Sequence, residues 1–271
     1  MLFNFALSPL ADISPWGPQE NPSLSWFGLT EGQYWIQTEP HTLLEYDDRV
    51  QALGVTRYCG YQVARLHEDL MDMLPYILEP VPVALTQYIS VATNSDWQRN
   101  FAAWCDKYDR HLDLANYRKV LDNSIMWKAN RKLDLAYLSP AADIWIWSDA
   151  LNVHIEWDNT GKLVNGQPAW TASQGACHLP RARFMAEVHE FHWQLMTQMQ
   201  NRVDSIRSGA CFDRLHIDID QLANEQKQRE LTLELALGFK PHTPWQWVQD
   251  SSAQILGAKG YEQASPRSSN M

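Results

Sequence analysis

Three polar side chains that could do chemistry stand at alternate positions of one β-like run. His154, Glu156 and Asp158 are separated by single apolar residues. Side chains at every second position of a strand point to one face, about 7 Å apart. An imidazole beside two carboxylates could bind a divalent metal ion or share acid and base catalysis. The same alternation is typical of the solvated face of an antiparallel sheet, and without a fourth ligand the pattern favours that second interpretation.

Two histidines on a predicted helix are the next candidates for ligand binding. His189 and His192 are three residues apart, with Glu190 between them, a spacing that could bring both rings to one ligand. The zinc-protease motif HExxH needs histidines four apart, so HEFH does not match it. His192 falls near the edge of the apolar stripe, which favours a half-buried, hydrogen-bonded histidine. We therefore predict no metal ion and no cofactor.

Polar residues that precede two other elements have simpler explanations. Arg131 and Asp134 could form a structural ion pair, or Arg131 could hold an anionic ligand. His216, Asp218 and Asp220 share one side of an extended run that leads into a helix. Acidic side chains at a helix N-terminus accept hydrogen bonds from free backbone N–H groups, so we interpret these residues as caps.

The predicted elements that position these residues are N-terminal strands, a helical middle, a central hairpin and further helices after it. Alternating or aromatic runs predict N-terminal strands over residues 2–7, 33–36 and 42–46. Residues 144–147 and 151–158 alternate with period two and predict a Trp-rich hairpin. Asn165–Gly166 further predicts a type I′ turn of a second, small hairpin.

Several segments with apolar residues three or four apart predict amphipathic helices. A stripe that starts at Cys59 predicts a helix that Pro75 ends. The remaining predicted helices cover 82–89, begin near 94 and near 114, follow Pro180 up to Gly209, and follow Asp218. The fold class is therefore α+β, with an antiparallel sheet packed against several amphipathic helices. We predict one domain over residues 1–250 and a flexible C-terminal tail over 251–271.

The charge of the chain restricts its partners. The formal net charge is −10, from 22 basic and 32 acidic residues. This is the wrong sign for tracking a phosphate backbone or an anionic membrane surface, so neither nucleic acid nor membrane is an expected partner. An acidic surface does speed association with basic proteins. The sequence contains no apolar run long enough to cross a membrane, and its cysteines form no CxxC pair, so a cytoplasmic protein with free thiols is expected.

The combination of aromatic residues and missing motifs favours an interaction protein. The chain has 13 tryptophans, a residue enriched in cores, at protein interfaces and on sugar-binding surfaces. It contains no GxGxxG, P-loop, GxSxG or EF-hand pattern. The first hypothesis is an immunity protein that neutralises a cognate basic bacterial toxin. The alternatives are an enzyme or small-ligand or metal binder that uses His154, Glu156 and Asp158, and a carbohydrate binder with a row of exposed tryptophans.

Three segments carry a resemblance to a known family. They are PWGPQENPSLSWFGLTEGQYW, NRKLDLAYLSPAADIWIW with the following VHIEWDN, and FMAEVHEFHWQLMTQMQNRV. Over most of its length the chain resembles a family of uncharacterised bacterial proteins known only as a domain of unknown function. The resemblance implies a bacterial, cytosolic, single-domain protein and assigns no site residue.

Overall fold

The N-terminal sheet forms around one central strand. The structure is a computed structural model that describes residues 1–16, 23–108, 114–209 and 217–257. The strands of this sheet are β1 (Phe3–Leu7), β2 (Glu31–Thr38), β3 (His41–Leu43) and β4 (Cys59–Gln62). All pair antiparallel, and β2 pairs with each of the other three. Half-buried and buried side chains alternate along β2, as expected of a strand with one face on the core. The three predicted N-terminal strands are present, although β3 overlaps the predicted run 42–46 only at residues 42 and 43.

Two features of the first predicted helix are wrong. Cys59 lies in β4, opposite Tyr34, and its Sγ donates to the Tyr34 carbonyl at 3.2 Å. After the short α1 (Asp48–Gln51), helix α2 (Val63–Leu78) begins only beyond β4 and continues through Pro75. Proline removes one helical N–H, but Leu74 and Ile77 on either side of it are fully buried. Their packing holds the last turn of α2.

The helical middle is confirmed. It consists of α3 (Val83–Ile89), α4 (Ser95–Tyr108) and α5 (Leu114–Ala129), each beginning where the sequence predicts. Together with later residues they enclose two small apolar clusters that are separate from the main core.

The second sheet contains the predicted hairpin. Strands β5 (Ile144–Ser148) and β6 (Asn152–Asp158) pair antiparallel. A two-stranded ribbon of β7 (Leu163–Val164) and β8 (Gln167–Pro168) follows, turning at Asn165 and Gly166. Both turn residues have positive φ, 49° and 78°, as the predicted turn type requires. Strand β9 (Gln174–Pro180) then pairs with β6 and completes the sheet.

Helix α6 (Arg181–Arg207) begins after Pro180 and stops before Gly209, as predicted. Its apolar stripe faces β1, β6 and β9, and five members of the stripe are fully buried: Phe184, Val188, Phe191, Leu195 and Met199. The main core lies between α2, α6 and the two sheets. The α+β fold class is therefore confirmed.

The C-terminal part is more helical than predicted. Asp218 caps α7 (Ile219–Glu230), accepting from the Gln221 backbone N at 2.8 Å, which confirms the cap. Helices α8 (Thr232–Gly238) and α9 (Trp245–Gly257) follow. The predicted start of the tail at 251 is wrong, because Ile255 of α9 is fully buried in a cluster with Trp104.

Three further predictions have partial answers. Residues 258–271 of the tail, as well as Cys211 and His216, lie outside the described residues. The single domain over 1–250 stays a prediction. No described helix has both the length and the apolar character needed to cross a membrane.

Candidate functional site

Strand β6 places Glu156 between His154 and Asp158 as predicted, but Glu156 is only 3% exposed. Its Oε2 accepts from Ser90 Oγ at 2.9 Å and from the Val91 backbone N at 2.6 Å. Its Oε1 accepts from Trp147 Nε1 at 3.1 Å. The interpretation as a solvated sheet face is wrong for this residue, because the chain after α3 covers it. The carboxylate joins that segment to the sheet.

His154 is oriented by the turn of its own hairpin. Its Nε2 lies 2.8 Å from Asp149 Oδ2, and its ring stacks on Trp147 with centroids 4.1 Å apart. Asp149 Oδ1 accepts from the backbone N atoms of Leu151 and Asn152. Partial burial alone would raise the pKa of Asp149, but these hydrogen bonds lower it to about 2. The pair holds the hairpin turn and fixes the direction of the imidazole.

Asp158 also has a local role, because its Oδ1 accepts from the Thr160 backbone N in the following turn. Among the described residues, no three His, Cys, Asp or Glu side chains are grouped so that they could hold a metal ion. The structure therefore keeps His154, Glu156 and Asp158 on one strand but gives each a separate partner.

The exposed tryptophans do not form the row that a carbohydrate site would need. Trp16, Trp193 and Trp247 are the tryptophans with about half or more of their surface exposed, and they lie in the N-terminal loop, on α6 and on α9. None of the three belongs to a sheet.

His192 is half-buried and hydrogen-bonded, as predicted, but its partner is a histidine that the sequence did not single out. Its Nδ1 lies 2.9 Å from His67 Nε2, and its Nε2 lies 3.2 Å from the Glu230 carbonyl oxygen. His189 is exposed on α6. The two histidines of HEFH are therefore not brought to one ligand.

The hydrogen bonds determine which ring nitrogens carry protons. Burial, followed by the neighbouring His192 and Arg229, lowers the pKa of His67 to about 3, and burial also lowers the pKa of His192. Both rings are thus neutral near pH 7. The Glu230 carbonyl can only accept, so His192 Nε2 donates to it and His192 Nδ1 accepts from His67 Nε2. His67 Nδ1 is then an unprotonated acceptor, and it has no hydrogen-bond partner among the described residues.

We expect the buried His67 to make stability fall with acidification. A histidine whose folded pKa is lowered contributes stability above its unfolded pKa of about 6.5, which is lost progressively as the pH falls toward the folded value. Burial raises the pKa of Asp69, so Asp69 makes the stability rise with acidification. That effect is the same in wild type and variant. Between pH 7.5 and 5.5, wild type should lose roughly 1 kcal/mol more free energy of unfolding than His67→Gln. Urea denaturation at both pH values measures this, and equal losses would contradict it.

Arg131 is a buried structural residue. Its side chain is 0% exposed, its Nη2 lies 3.1 Å from Glu79 Oε2, and its Nη1 donates to the Trp127 carbonyl at 2.6 Å. The predicted ion pair with Asp134 is not formed, because Asp134 pairs with Arg65 at 2.7 Å. The interpretation of Arg131 as an anion-binding residue is not supported, because its guanidinium group already forms an ion pair with Glu79.

A groove of about 630 Å³ lies between α2 and α8. Met71, Pro75 and Ala236 form an apolar floor, and all three are buried. Leu235 and Phe239 line the groove while 68% and 53% exposed. The groove continues into a hollow of about 790 Å³ along α7. We call the two together the α2–α8 groove.

Carboxylates dominate the charge of the α2–α8 groove. Five acidic residues line it: Glu68, Asp72, Asp218, Asp220 and Glu225. Of its two arginines, Arg229 is held by Glu68 at 2.7 Å and by Glu225 at 3.0 Å. Arg65 is likewise held by Asp69 at 3.3 Å and by Asp134 at 2.7 Å. Neither arginine forms a salt bridge with Asp72 or Asp220, and five acidic residues face two arginines, so the groove carries an excess of negative charge.

Burial, and after it the negative potential, raises the pKa values of two carboxyl groups of α2. Burial raises the pKa of Asp69 to about 7, and the carboxylates of Asp134, Glu68 and Asp72 add to the rise against the effect of Arg65. Burial and then Glu68 raise the pKa of Asp72, while Arg65 opposes the rise. A cation placed here would be attracted by charges that the fold leaves uncompensated.

Sequence reasoning missed this surface for a physical reason. The stripe Arg65, Asp69, Asp72 and Tyr76 has helical spacing and could have been read as the polar face of α2. What makes it part of a groove is the packing of α8 beside α2, and α8 follows more than 150 positions later in the chain. No local sequence pattern predicts that contact.

The fold and groove define an α+β protein with two antiparallel sheets and an acidic, apolar-floored groove between helices. Residues 2–251 match the family described as Family of unknown function (DUF5984), and the chain belongs to this family. No curated protein and no solved structure matches the chain.

Proposed function

We propose that the protein binds a basic partner protein through the α2–α8 groove. The partner is a bacterial toxin, and the protein is the cognate immunity protein that neutralises it in the cytoplasm. The free thiols of Cys59 and Cys177 fit a reducing compartment. Acidic immunity proteins act by covering a basic surface, so the chemistry of one groove would be sufficient for this role.

The observation that carries the proposal is an exposed apolar surface bordered by uncompensated carboxylates. Leu235 and Phe239 remain largely exposed in the monomer, although burying them would be favourable. Apolar anchors surrounded by complementary charge are typical of protein interfaces. Asp72 and Asp220 would attract a basic partner, and the apolar side chains would then be covered by it.

We expect substitution of the groove to weaken partner binding at least tenfold, which corresponds to about 1.4 kcal/mol. The test variant is Asp72→Lys with Leu235→Lys, because both residues are exposed and their replacement spares the core. Basic proteins are captured on the tagged wild type from host lysate at low salt, purified, and their binding rates measured against both proteins. Association with wild type should slow as salt increases.

A matched control keeps the change in charge but moves it away from the groove. Glu234→Lys with Leu163→Lys makes the same change of about +3 in net charge at exposed positions that do not line the groove. It should retain at least half of the wild-type affinity. Equal weakening by both variants would contradict the groove as the binding surface, and failure to retain any basic protein at low salt would contradict the proposal as a whole.

An enzyme or ligand binder based on His154, Glu156 and Asp158 remains the second proposal, with less support. The oriented Asp149–His154 pair favours it, since a carboxylate that fixes an imidazole is a common arrangement in acid and base catalysis. The hydrogen bonds already made by Glu156 weigh against it. A thermal-shift screen against divalent metal ions and small ligands, repeated on His154→Ala, distinguishes the two proposals.

A further inference from the structure

We propose that the α2–α8 groove binds an arginine side chain of the basic partner, whose guanidinium group donates a hydrogen bond to His67 Nδ1 and lies beside Asp72. The inference rests on the proposed function and adds the chemistry of the partner's central side chain. It is carried by the buried acceptor on His67, by the charge of the groove and by its aromatic wall.

His67 has a buried acceptor atom that requires a hydrogen-bond donor. The residue lines the groove but is only 1% exposed, so a donor reaches its ring by displacing the neighbouring groove side chains slightly. Its Nε2 is used by His192, while Nδ1 is an acceptor with no partner among the described residues. A buried acceptor without a partner destabilises a protein, so a group that donates there gains more than it would on the open surface.

The negative charge of the groove favours a donor that is a cation. A hydroxyl or amide could satisfy His67 but would gain little from Asp72, which is exposed and forms no salt bridge with Arg65 or Arg229. Asp69 Oδ2 is a second buried acceptor without a hydrogen-bond partner in the described part of the chain. Asp69 does not itself line the groove, but it lies one helical turn from Asp72 on α2, so its carboxylate adds to the negative charge that a cation beside Asp72 meets.

The shape and lining of the groove favour arginine over lysine. The rings of Tyr76 and Phe239 stand 6.2 Å apart at its wall, and Met71 and Ala236 form part of its floor. A guanidinium group is planar, weakly hydrated and able to stack on aromatic rings while its five N–H groups reach several acceptors. An ammonium group is compact and strongly hydrated, so it would lose more hydration free energy on moving from water into this groove.

The raised pKa of Asp69, about 7, supports the inference. A guanidinium group that arrives beside Asp72, one helical turn from Asp69, favours the charged forms of both carboxyl groups. Binding near pH 7 should therefore release protons, which calorimetry in two buffers of different ionisation enthalpy detects as a difference in apparent binding heat.

The test uses the peptide acetyl-Gly-Arg-Leu-Gly-amide as the probe, with lysine and citrulline versions as comparisons. Histidine-ring ¹⁵N spectra of the full-length protein are recorded during titration. The arginine peptide should shift the Nδ1 signal of His67 saturably. The lysine peptide and the uncharged citrulline peptide should each bind at least fivefold more weakly.

Matched variants locate the effect in the groove. Asp72→Asn should weaken binding of the arginine peptide at least threefold, whereas Glu234→Gln removes the same charge from α8 outside the groove and should leave binding unchanged. The inference is overturned if the His67 signal does not move, if lysine binds as well as arginine, or if both variants weaken binding equally.

The outcome can be separated from that of the proposed function. If the captured partner depends on Asp72 and Leu235 but the arginine peptide leaves His67 unchanged, the groove binds a partner by another side chain. If neither the partner nor the peptide depends on these residues, both proposals are wrong.

Discussion

Replacing Glu79 by alanine is expected to lower the free energy of unfolding by about 3–5 kcal/mol, because it leaves the buried Arg131 without its counter-charge. Arg131 is 0% exposed and its Nη2 lies 3.1 Å from Glu79 Oε2. Burial lowers the pKa of Arg131 to about 10, and Glu79 opposes that effect. An arginine remains protonated at neutral pH even so, and the variant would therefore hold an uncompensated buried charge.

Glu79 also fixes the chain that leads into α9. Its Oε1 accepts from the Thr243 backbone N at 3.0 Å, and Thr243 Oγ1 donates to its Oε2. Trp245 lies against Arg131, with the guanidinium carbon 5.2 Å from a tryptophan ring centroid. Loss of Glu79 therefore weakens the attachment of α9 as well as the ion pair.

Urea denaturation followed by tryptophan fluorescence measures the effect of Glu79→Ala. Glu234→Ala is the control, since Glu234 is exposed and its replacement should change the free energy of unfolding by no more than about 0.5 kcal/mol. Glu79→Gln should remain strongly destabilised, because the amide keeps the shape of the side chain but not its charge. A Glu79→Ala protein as stable as the control would show that Arg131 is not held by this pair.

Glu156→Ala is expected to lower the free energy of unfolding by about 3 kcal/mol. Three donors lose a charged acceptor at once: Ser90 Oγ, the Val91 backbone N and Trp147 Nε1. A hydrogen bond to a charged group contributes about 1.5–3 kcal/mol, but three bonds that share one acceptor are not additive, so the expected loss is below their sum. The segment after α3 should detach first, because Glu156 joins it to the sheet.

Asp158→Ala is the matched control for Glu156→Ala. Asp158 lies two positions further on the same strand, but it is half-buried and its carboxylate accepts from the Thr160 backbone N in a turn. The free energy of unfolding of Asp158→Ala should be lower than that of wild type by at most about 1 kcal/mol. Hydrogen exchange of the Val91 amide would report the local opening, and unchanged protection of that amide in Glu156→Ala would contradict the proposed role.

The sequence by itself determined most of the local structure. Period-two alternation predicted β5 and β6, and an apolar stripe between Pro180 and Gly209 predicted α6, because the periods of strand and helix are properties of the local backbone. Asn165–Gly166 and Asp218 predicted a turn and a cap, since their effects act on the nearest backbone atoms. The acidic balance likewise followed from composition alone.

Only the tertiary structure determined which polar residues are buried and which partners they have. Glu156 is buried because residues 90 and 91 cover it, His67 meets His192 because α2 packs near α6, and Arg131 pairs with Glu79 rather than Asp134. Each contact joins residues more than 50 positions apart, so no spacing in the chain encodes it. The α2–α8 groove arises in the same way. Whether a polar side chain is a surface residue, a structural support or part of a binding site depends on which distant element covers it, and that is determined by packing of the whole core.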